Sequence, residues 1–200
     1  MKHQLTSVLL LVFITGCFAQ PKPVDDCEAC DLMFTEMPVN ITRETKIASE
    51  SEPGERLVLT GTIYKSDGKT PAPNIVLYVY HTDHTGNYTP GKNQTVAKRH
   101  GHLRGWIKTD ATGKYKIETI RPAPYPGNQA PAHIHPIILE PDERYYWIDE
   151  YLFEDDPLVT ATVRKNERKR GGNGIIALKK TNGVWEGKRD IVLGKNIPNY

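Results

Sequence analysis

The apolar positions of the chain repeat with the period of strands rather than helices. Leu57-Val58-Leu59-Thr60-Gly61-Thr62-Ile63-Tyr64 predicts a strand that ends in the turn Ser66-Asp67-Gly68. Asn74-Ile75-Val76-Leu77-Tyr78-Val79-Tyr80 predicts a second, apolar on both faces and therefore central. Trp106-Ile107-Lys108 and Tyr115 to Ile120, joined by Thr109-Asp110-Ala111-Thr112-Gly113, predict a hairpin, and Pro131 to Leu139 predicts a further strand. More strands are expected at Tyr146 to Leu152, Leu158 to Val163, Gly174 to Leu178 and Val184 to Leu193. Only Cys27 to Phe34 has the makings of a helix, and a short one. Short strands separated by turn signals predict an all-β fold, an antiparallel β-sandwich with long functional loops. The longest irregular stretch, His81 to Leu103, and the link Arg121-Pro122-Ala123-Pro124-Tyr125-Pro126 are where function is expected, because long loops in a small domain are usually functional.

Two segments of different character precede this body. Residues 1–19 have a basic start (Lys2, His3), the apolar run Val8 to Ile14 and then small residues, the layout of a signal peptide too short for a permanent span. Cys17-Phe18-Ala19 before Gln20 suits ordinary signal peptidase, whereas Ile14-Thr15-Gly16-Cys17 resembles a bacterial lipobox that would lipidate Cys17 and tether the chain to a membrane. Both readings send the protein out of the cytoplasm. Residues 20–55 form a polar extension carrying Cys27 and Cys30, and residues 56–200 form the sandwich domain. In an oxidising compartment a lone C-x-x-C, with no second pair to complete a zinc site, reads as a local disulfide. Asn40-Ile41-Thr42 and Asn93-Gln94-Thr95 match the glycosylation sequon, relevant in a eukaryotic host.

Charge narrows the partners. With Lys+Arg 26 against Asp+Glu 24 there is no basic excess to hold nucleic acid. Arg164-Lys165 and Arg168-Lys169-Arg170 read as a solvated loop beside Gly171-Gly172. Tyr outnumbers Phe by 10 to 4, which leaves many phenols free for hydrogen bonds or metal ligation.

The chemistry starts at Pro131-Ala132-His133-Ile134-His135. On a strand His133 and His135 share one face, roughly 7 Å apart, where one metal ion can take both. The type of the remaining ligands decides the metal. A carboxylate such as Asp83, Asp110 or Glu140 would suit ferrous iron, and a third His or a Cys would suit zinc. Tyr88 in the long loop and Tyr125 in the Pro-rich link offer phenolates, hard anions that a trivalent cation favours despite a free pKa of about 10. Two phenolates with two imidazoles would hold ferric iron with its charge largely neutralised. Taken singly, a Tyr beside Pro or Gly packs over a loop. His81, His84, His100 and His102 read as solvated loop residues, with room for one or more of them to line the pocket mouth, and Trp106 and Trp147 as core.

In chain order, Asp83-His84-Thr85-Gly86-Asn87-Tyr88, Thr109-Asp110 with Gly113-Lys114-Tyr115, Thr119-Ile120-Arg121-Pro122-Ala123-Pro124-Tyr125-Pro126 and Pro131-Ala132-His133-Ile134-His135 resemble the motif series of the intradiol ring-cleavage dioxygenases, most nearly the protocatechuate 3,4-dioxygenase branch. The likeness runs from about Leu57 through Phe153-Glu154-Asp155-Asp156-Pro157. It implies a prealbumin- or immunoglobulin-like sandwich with non-haem Fe(III) held by Tyr88, Tyr125, His133 and His135. It implies a catechol that binds the iron through both oxygens and displaces Tyr125, which is a ligand at rest and a proton acceptor when released. O2 then enters the ring, and the product is a muconate-type diacid. Two departures from the family pattern stand out. Ala130 holds the place, three before the first His, where the family commonly has Arg, so that Arg104 or Arg121 is expected to supply the charge. Glu150 replaces the usual Gln after the His strand, and an acid there would discourage carboxylated catechols. Two other readings fit parts of the pattern: a non-catalytic transthyretin-like or carboxypeptidase-regulatory-like sandwich, which lacks the paired Tyr and the His-x-His, and an iron-binding dioxygenase that has lost turnover with the arginine.

Overall fold

The computed structural model describes residues 20–94, 98–127 and 130–200; the signal-peptide and Cys17 readings, and Thr95 of the second sequon, lie outside them. The elements are β1 (Lys22–Pro23), a 3-10 turn (Cys30–Phe34), β2 (Glu44–Lys46), β3 (Arg56–Tyr64), β4 (Val76–His81), a 3-10 turn (Lys98–His100), β5 (Arg104–Lys108), β6 (Lys114–Ile120), β7 (His133–Leu139), β8 (Arg144–Trp147), β9 (Tyr151–Phe153), α1 (Ala161–Asn166), β10 (Ile175–Ile176), β11 (Leu178–Thr181), β12 (Val184–Lys188) and β13 (Ile191–Val192). They form two sheets. One runs β1-β8-β7-β4-β5, with β9 and β10 beside β7; the other runs β11-β12-β3-β6-β2, with β13 on β3. The pairs β3–β6, β4–β5, β4–β7 and β7–β8 are antiparallel, and parallel pairing is added by β1 on β8, β2 on β6, β10 on β9, and β12 and β13 on β3. No helix among the described residues is long and apolar enough to cross a membrane.

Alternation builds the core. Leu57, Leu59 and Ile63 of β3, Ile117 of β6, Leu77 and Val79 of β4, and Ile134 and Ile138 of β7 interdigitate between the sheets with Tyr146, Tyr151 and Phe153. The double-sided apolar character of β4 has a separate cause. Tyr78, on its other face, lies under the 20–55 segment in a second cluster with Cys30, Met33, Ile137 and Tyr145.

Several expected elements came out differently. β5 and β6 are not a hairpin: β5 pairs with β4 and β6 with β3, so the intervening turn hands the chain from one sheet to the other. Thr109 fixes that crossing by accepting from Ile75 N with Oγ1 and donating to Ala72 O, and Asp110 caps the turn by accepting from the Thr112 amide. Residues 146–152 do not form one strand. Pro136 of β7 has no N–H to offer, and opposite it the partner lets go between β8 and β9. Residues 158–163 are not a strand either, because Thr160 caps α1 by accepting from Val163 N. Arg170 is not solvated: it is buried against Trp147 and paired with Asp25 at 2.7 Å.

Candidate metal centre

The β4–β7 register sets Tyr80 beside His135 and His81 beside Ile134. Because side chains alternate, Ile134 goes into the core while His133 and His135 stand on the opposite face of the sheet. The Asp83 carboxylate builds the loop that delivers Tyr88, taking the amides of Thr85 and Asn87 and the hydroxyls of Thr85 and Thr89. Burial pushes that carboxyl up, but the bonds from Thr85, Thr89 and Asn87 outweigh it and hold the group at about 2. The link bearing Tyr125 is fastened to the same loop: Thr82 Oγ1 donates to Ala123 O at 2.7 Å, and Ala123 N donates to Asp83 O at 3.2 Å. Gly86 makes the close approach possible, since a Cβ there would sit 2.1 Å from Pro124 O. Ahead of His133, Ala132 N donates to Asp156 Oδ2 at 2.8 Å.

These supports bring four side-chain heads together. Tyr88 and Tyr125 hydroxyls are 2.8 Å apart. The Tyr125 oxygen is 3.0 Å from His133 Nε2 and 3.3 Å from His135 Nε2, and the two Nε2 atoms are 3.0 Å apart. His133 Nδ1 lies 2.7 Å from Pro131 O, so it carries the proton it donates, and Nε2 keeps a lone pair. His135 Nδ1 lies 3.6 Å from Glu150 Oε1, which favours a proton on that nitrogen too. Burial, then the neighbouring His133, holds His135 well below the ordinary imidazole range and hence neutral. Burial, then the Tyr125 phenol, pushes Tyr88 far up; burial raises Tyr125 as well, partly offset by its bond with Tyr88. Two lone pairs facing each other at 3.0 Å repel unless a proton or cation lies between them. Among the described residues no group of three or more His, Cys, Asp and Glu is placed to hold a metal. Four donors converge only because two are phenols, and this hard anionic-plus-imidazole set fits Fe(III).

Next to the cluster is a cavity of about 330 Å³ walled by Tyr80, Tyr88, Tyr125 and His135, with Arg99 and His100 on another side and Glu28 and Ala29 closing it. Tyr80 is stacked between His135 at 4.7 Å and His100 at 3.7 Å. A neighbouring hollow of about 270 Å³ is lined by Cys27, Cys30, Trp147, Glu150 and Arg168 and shares Tyr80 and His135. Cys27 and Cys30 are joined, and their loop lines both spaces, with Glu28 common to the two.

Tyr88, Tyr125, His133 and His135 thus meet, and Glu150 stands beside His135. The two arginines do not reach the cavity. Arg104 is engaged by Glu36 and Thr35 O and lies over Trp106; Arg121 is held by both oxygens of Asp155 at 2.8 Å and lies over Phe153 and Trp185. The guanidinium that lines the cavity is that of Arg99, paired with Glu28 at 2.5 Å. His84 is exposed and His102 partly so, but His81 and His100 are buried. His81 bonds Thr82 O and Thr119 Oγ1, each at 2.7 Å. Trp106 and Trp147 are only half-buried, each donating its ring N–H to a backbone carbonyl of the 20–55 segment. Tyr80 was not singled out by motif; it shares a face with Tyr78 on the central strand and stands opposite His135 on the neighbouring one.

The family model described as dioxygenase (Dioxygenase_C) matches residues 33–181, about three quarters of the chain. Catechol 1,2-dioxygenase 2 of Acinetobacter lwoffii is 31% identical over 147 residues, covering 60% of this chain and 52% of that protein. The protocatechuate 3,4-dioxygenase beta chain of Burkholderia cepacia is 32% identical over 113 residues, 53% of this chain and 48% of that one. The chain spans about half the length of these curated relatives. In fold it is similar to the dioxygenase domain of a dioxygenase–carbohydrate-binding fusion from Streptomyces sp. SirexAA-E, with a TM-score of 0.61 and 22% identity over 86% of this chain and 98% of that one. Family match, curated relatives and fold agree: the chain belongs to the intradiol ring-cleavage dioxygenases.

Proposed function

We propose that the protein is a non-haem ferric dioxygenase that opens a catechol between its two hydroxylated carbons, with Tyr88, Tyr125, His133 and His135 as the metal ligands. The observation that carries this reading is the convergence of two phenol oxygens and two imidazole lone pairs, with separations of 2.8 to 3.3 Å, at the edge of a cavity about 330 Å³ in volume. Bound iron would supply the Lewis acidity that ionises the phenols and the catechol, and would make the ring reactive toward O2. The chain's own share is placement and proton control. The Pro131 carbonyl orients the His133 imidazole through Nδ1, and the Glu150 carboxylate stands 3.6 Å from Nδ1 of His135. Tyr125 lies within 3.3 Å of the other three donors and also lines the cavity; the family resemblance implies that it would be a ligand at rest and would accept a substrate proton on release. Burial favours the protonated form of both phenols, so binding a trivalent cation there would release about two protons.

Purified, iron-loaded protein is expected to be coloured by tyrosinate-to-iron charge transfer, to shift its band when catechol is added without oxygen, and to consume O2 with catechol. A protein that stays colourless and iron-free after loading would overturn the reading. Export from the cytoplasm belongs to the same proposal, supported by the Cys27–Cys30 pairing and the leader-like first residues; the mass of the mature N-terminus, lipidated at Cys17, cut after Ala19 or intact, tests it.

A further inference from the structure

His100 presents a hydrogen-bonding atom that has no partner among the described residues. It ends the 3-10 turn Lys98–His100, is 1% exposed, and stacks on Tyr80 at 3.7 Å with the rings only 7° from parallel. Nδ1 is 2.9 Å from the Tyr78 hydroxyl. Nε2 is buried and has no hydrogen-bond partner. Such an atom is uncommon in a folded protein because leaving it unpaired costs the desolvation of a polar group. His100 is also among the residues that line the cavity at the metal cluster; because Nε2 itself is shielded, a ligand entering there would reach it through a small tilt of the ring.

The surroundings decide which hydrogen-bonding role Nε2 has. Arg104 stands beside the Tyr78 oxygen, and its positive charge turns the hydroxyl proton away, toward His100 Nδ1. Burial holds Tyr78 up at about 12, so the phenol keeps that proton to give. Nδ1 therefore accepts, and the ring proton is on Nε2. Burial, then the charges of Arg104 and Arg99, holds the imidazole down at about 4, so it is neutral and carries one N–H. Arg104 and Tyr78 together make Nε2 a donor of fixed sense.

We propose that His100 is a substrate-binding residue whose Nε2–H donates to an oxygen carried on the catechol ring beyond the two that meet the metal. Arg99, its neighbour in sequence, lines the same cavity and is paired there with Glu28. The assignment rests on the cavity being the catechol site. It gives the protein a preference for ring-oxygenated catechols over alkylated ones of equal size, set by a side chain outside the ligand set.

The test compares 1,2,4-trihydroxybenzene with 4-methylcatechol by O2 uptake, and by the anaerobic shift of the visible band. His100→Phe keeps the stack on Tyr80 and removes the donor. It is expected to raise KM for the triol roughly tenfold relative to 4-methylcatechol, with kcat, iron content and the resting band little changed. His100→Gln, which restores an N–H, should recover most of the loss. Tyr78→Phe leaves the imidazole in place but frees Nδ1, so the ring can change tautomer and the preference for the triol should fall several-fold; it serves equally if the Phe variant does not fold. Equal effects on both substrates, or an unchanged preference in Tyr78→Phe, would overturn the proposal while leaving the metal reading intact. A colourless, iron-free wild type would overturn both, before any variant is made.

Discussion

The two halves of β7 share a backbone conformation and little else. His133 and His135, at its start, are partly exposed, with their Nε2 atoms turned toward each other and toward two phenols brought by distant loops. Ile137 and Ile138, at its end, are buried on opposite faces, one under the 20–55 segment and one between the sheets. Like charges or lone pairs gathered at a site work against folding, so a stretch that holds them in place has to be fixed elsewhere. Here the fixing is two to three residues away on the same strand. The strand's second half supplies rigidity that its first half uses.

If that division holds, substitutions in the two halves should have opposite signatures. The largest effect is expected from His133→Ala or His135→Ala: loss of bound iron and a fall in kcat/KM of roughly 10³-fold or more, with the metal-free protein unfolding within about 1 kcal/mol of wild type. Iron analysis, O2 uptake and urea titration measure it, and a large stability loss would mean that the imidazoles are also part of the frame. Ile138→Ala should do the reverse, costing about 3 kcal/mol in urea unfolding while the folded fraction keeps its iron band, because a fully buried isoleucine leaves a cavity that the core cannot close.

Acid should act on the frame through His81. Its folded pKa is depressed to about 4, chiefly by burial, so below about 6.5 the unfolded chain takes up a proton that the folded one refuses. The His81 contribution is therefore present above pH 6.5 and falls as pH drops toward 4, by up to roughly 3 kcal/mol; thermal unfolding of the metal-free protein across that range checks it, and His81→Gln should reduce the slope while leaving the share of His100 and His135. The smallest effect is expected at the joint. Asp156→Ala frees the amide of Ala132, just before His133, and should weaken iron affinity about tenfold with little change in the unfolding midpoint. A larger drop in stability would show that Asp156 serves the frame more than the site.

Much of the site was legible because it is written locally. Alternation alone puts His133 and His135 on one face, and the capped turn after Asp83 and the Pro-flanked Tyr125 can be recognised from a few consecutive residues. What sequence missed depends on partners far along the chain. Alternation gives the face of a strand but not its sheet, so β5 and β6, adjacent in sequence and joined by a tight turn, read as a hairpin although they lie in different layers. Polar type suggests exposure only when no buried partner exists. His100 has Tyr78 and Tyr80, His81 has Thr119, and Arg170 has Asp25 and Trp147, none of which is announced by spacing. The same holds for the cavity's guanidinium: Arg99 is identified by the wall it lines, whereas Arg104 and Arg121, the expected sources of charge, are held elsewhere by Glu36 and Asp155.

The parallel pairing of the 20–55 segment has one more consequence. β1 lies along β8 and β2 along β6, at one margin of each sheet. Each covers a row of backbone amides and carbonyls that would otherwise be open to a strand from another molecule. A chain shortened to begin at Arg56 would present both margins bare, and sedimentation should find it self-associated. The residues that wall the cavity and those that keep molecules apart belong to one stretch of chain, so changes there that widen the cavity are also liable to reduce solubility.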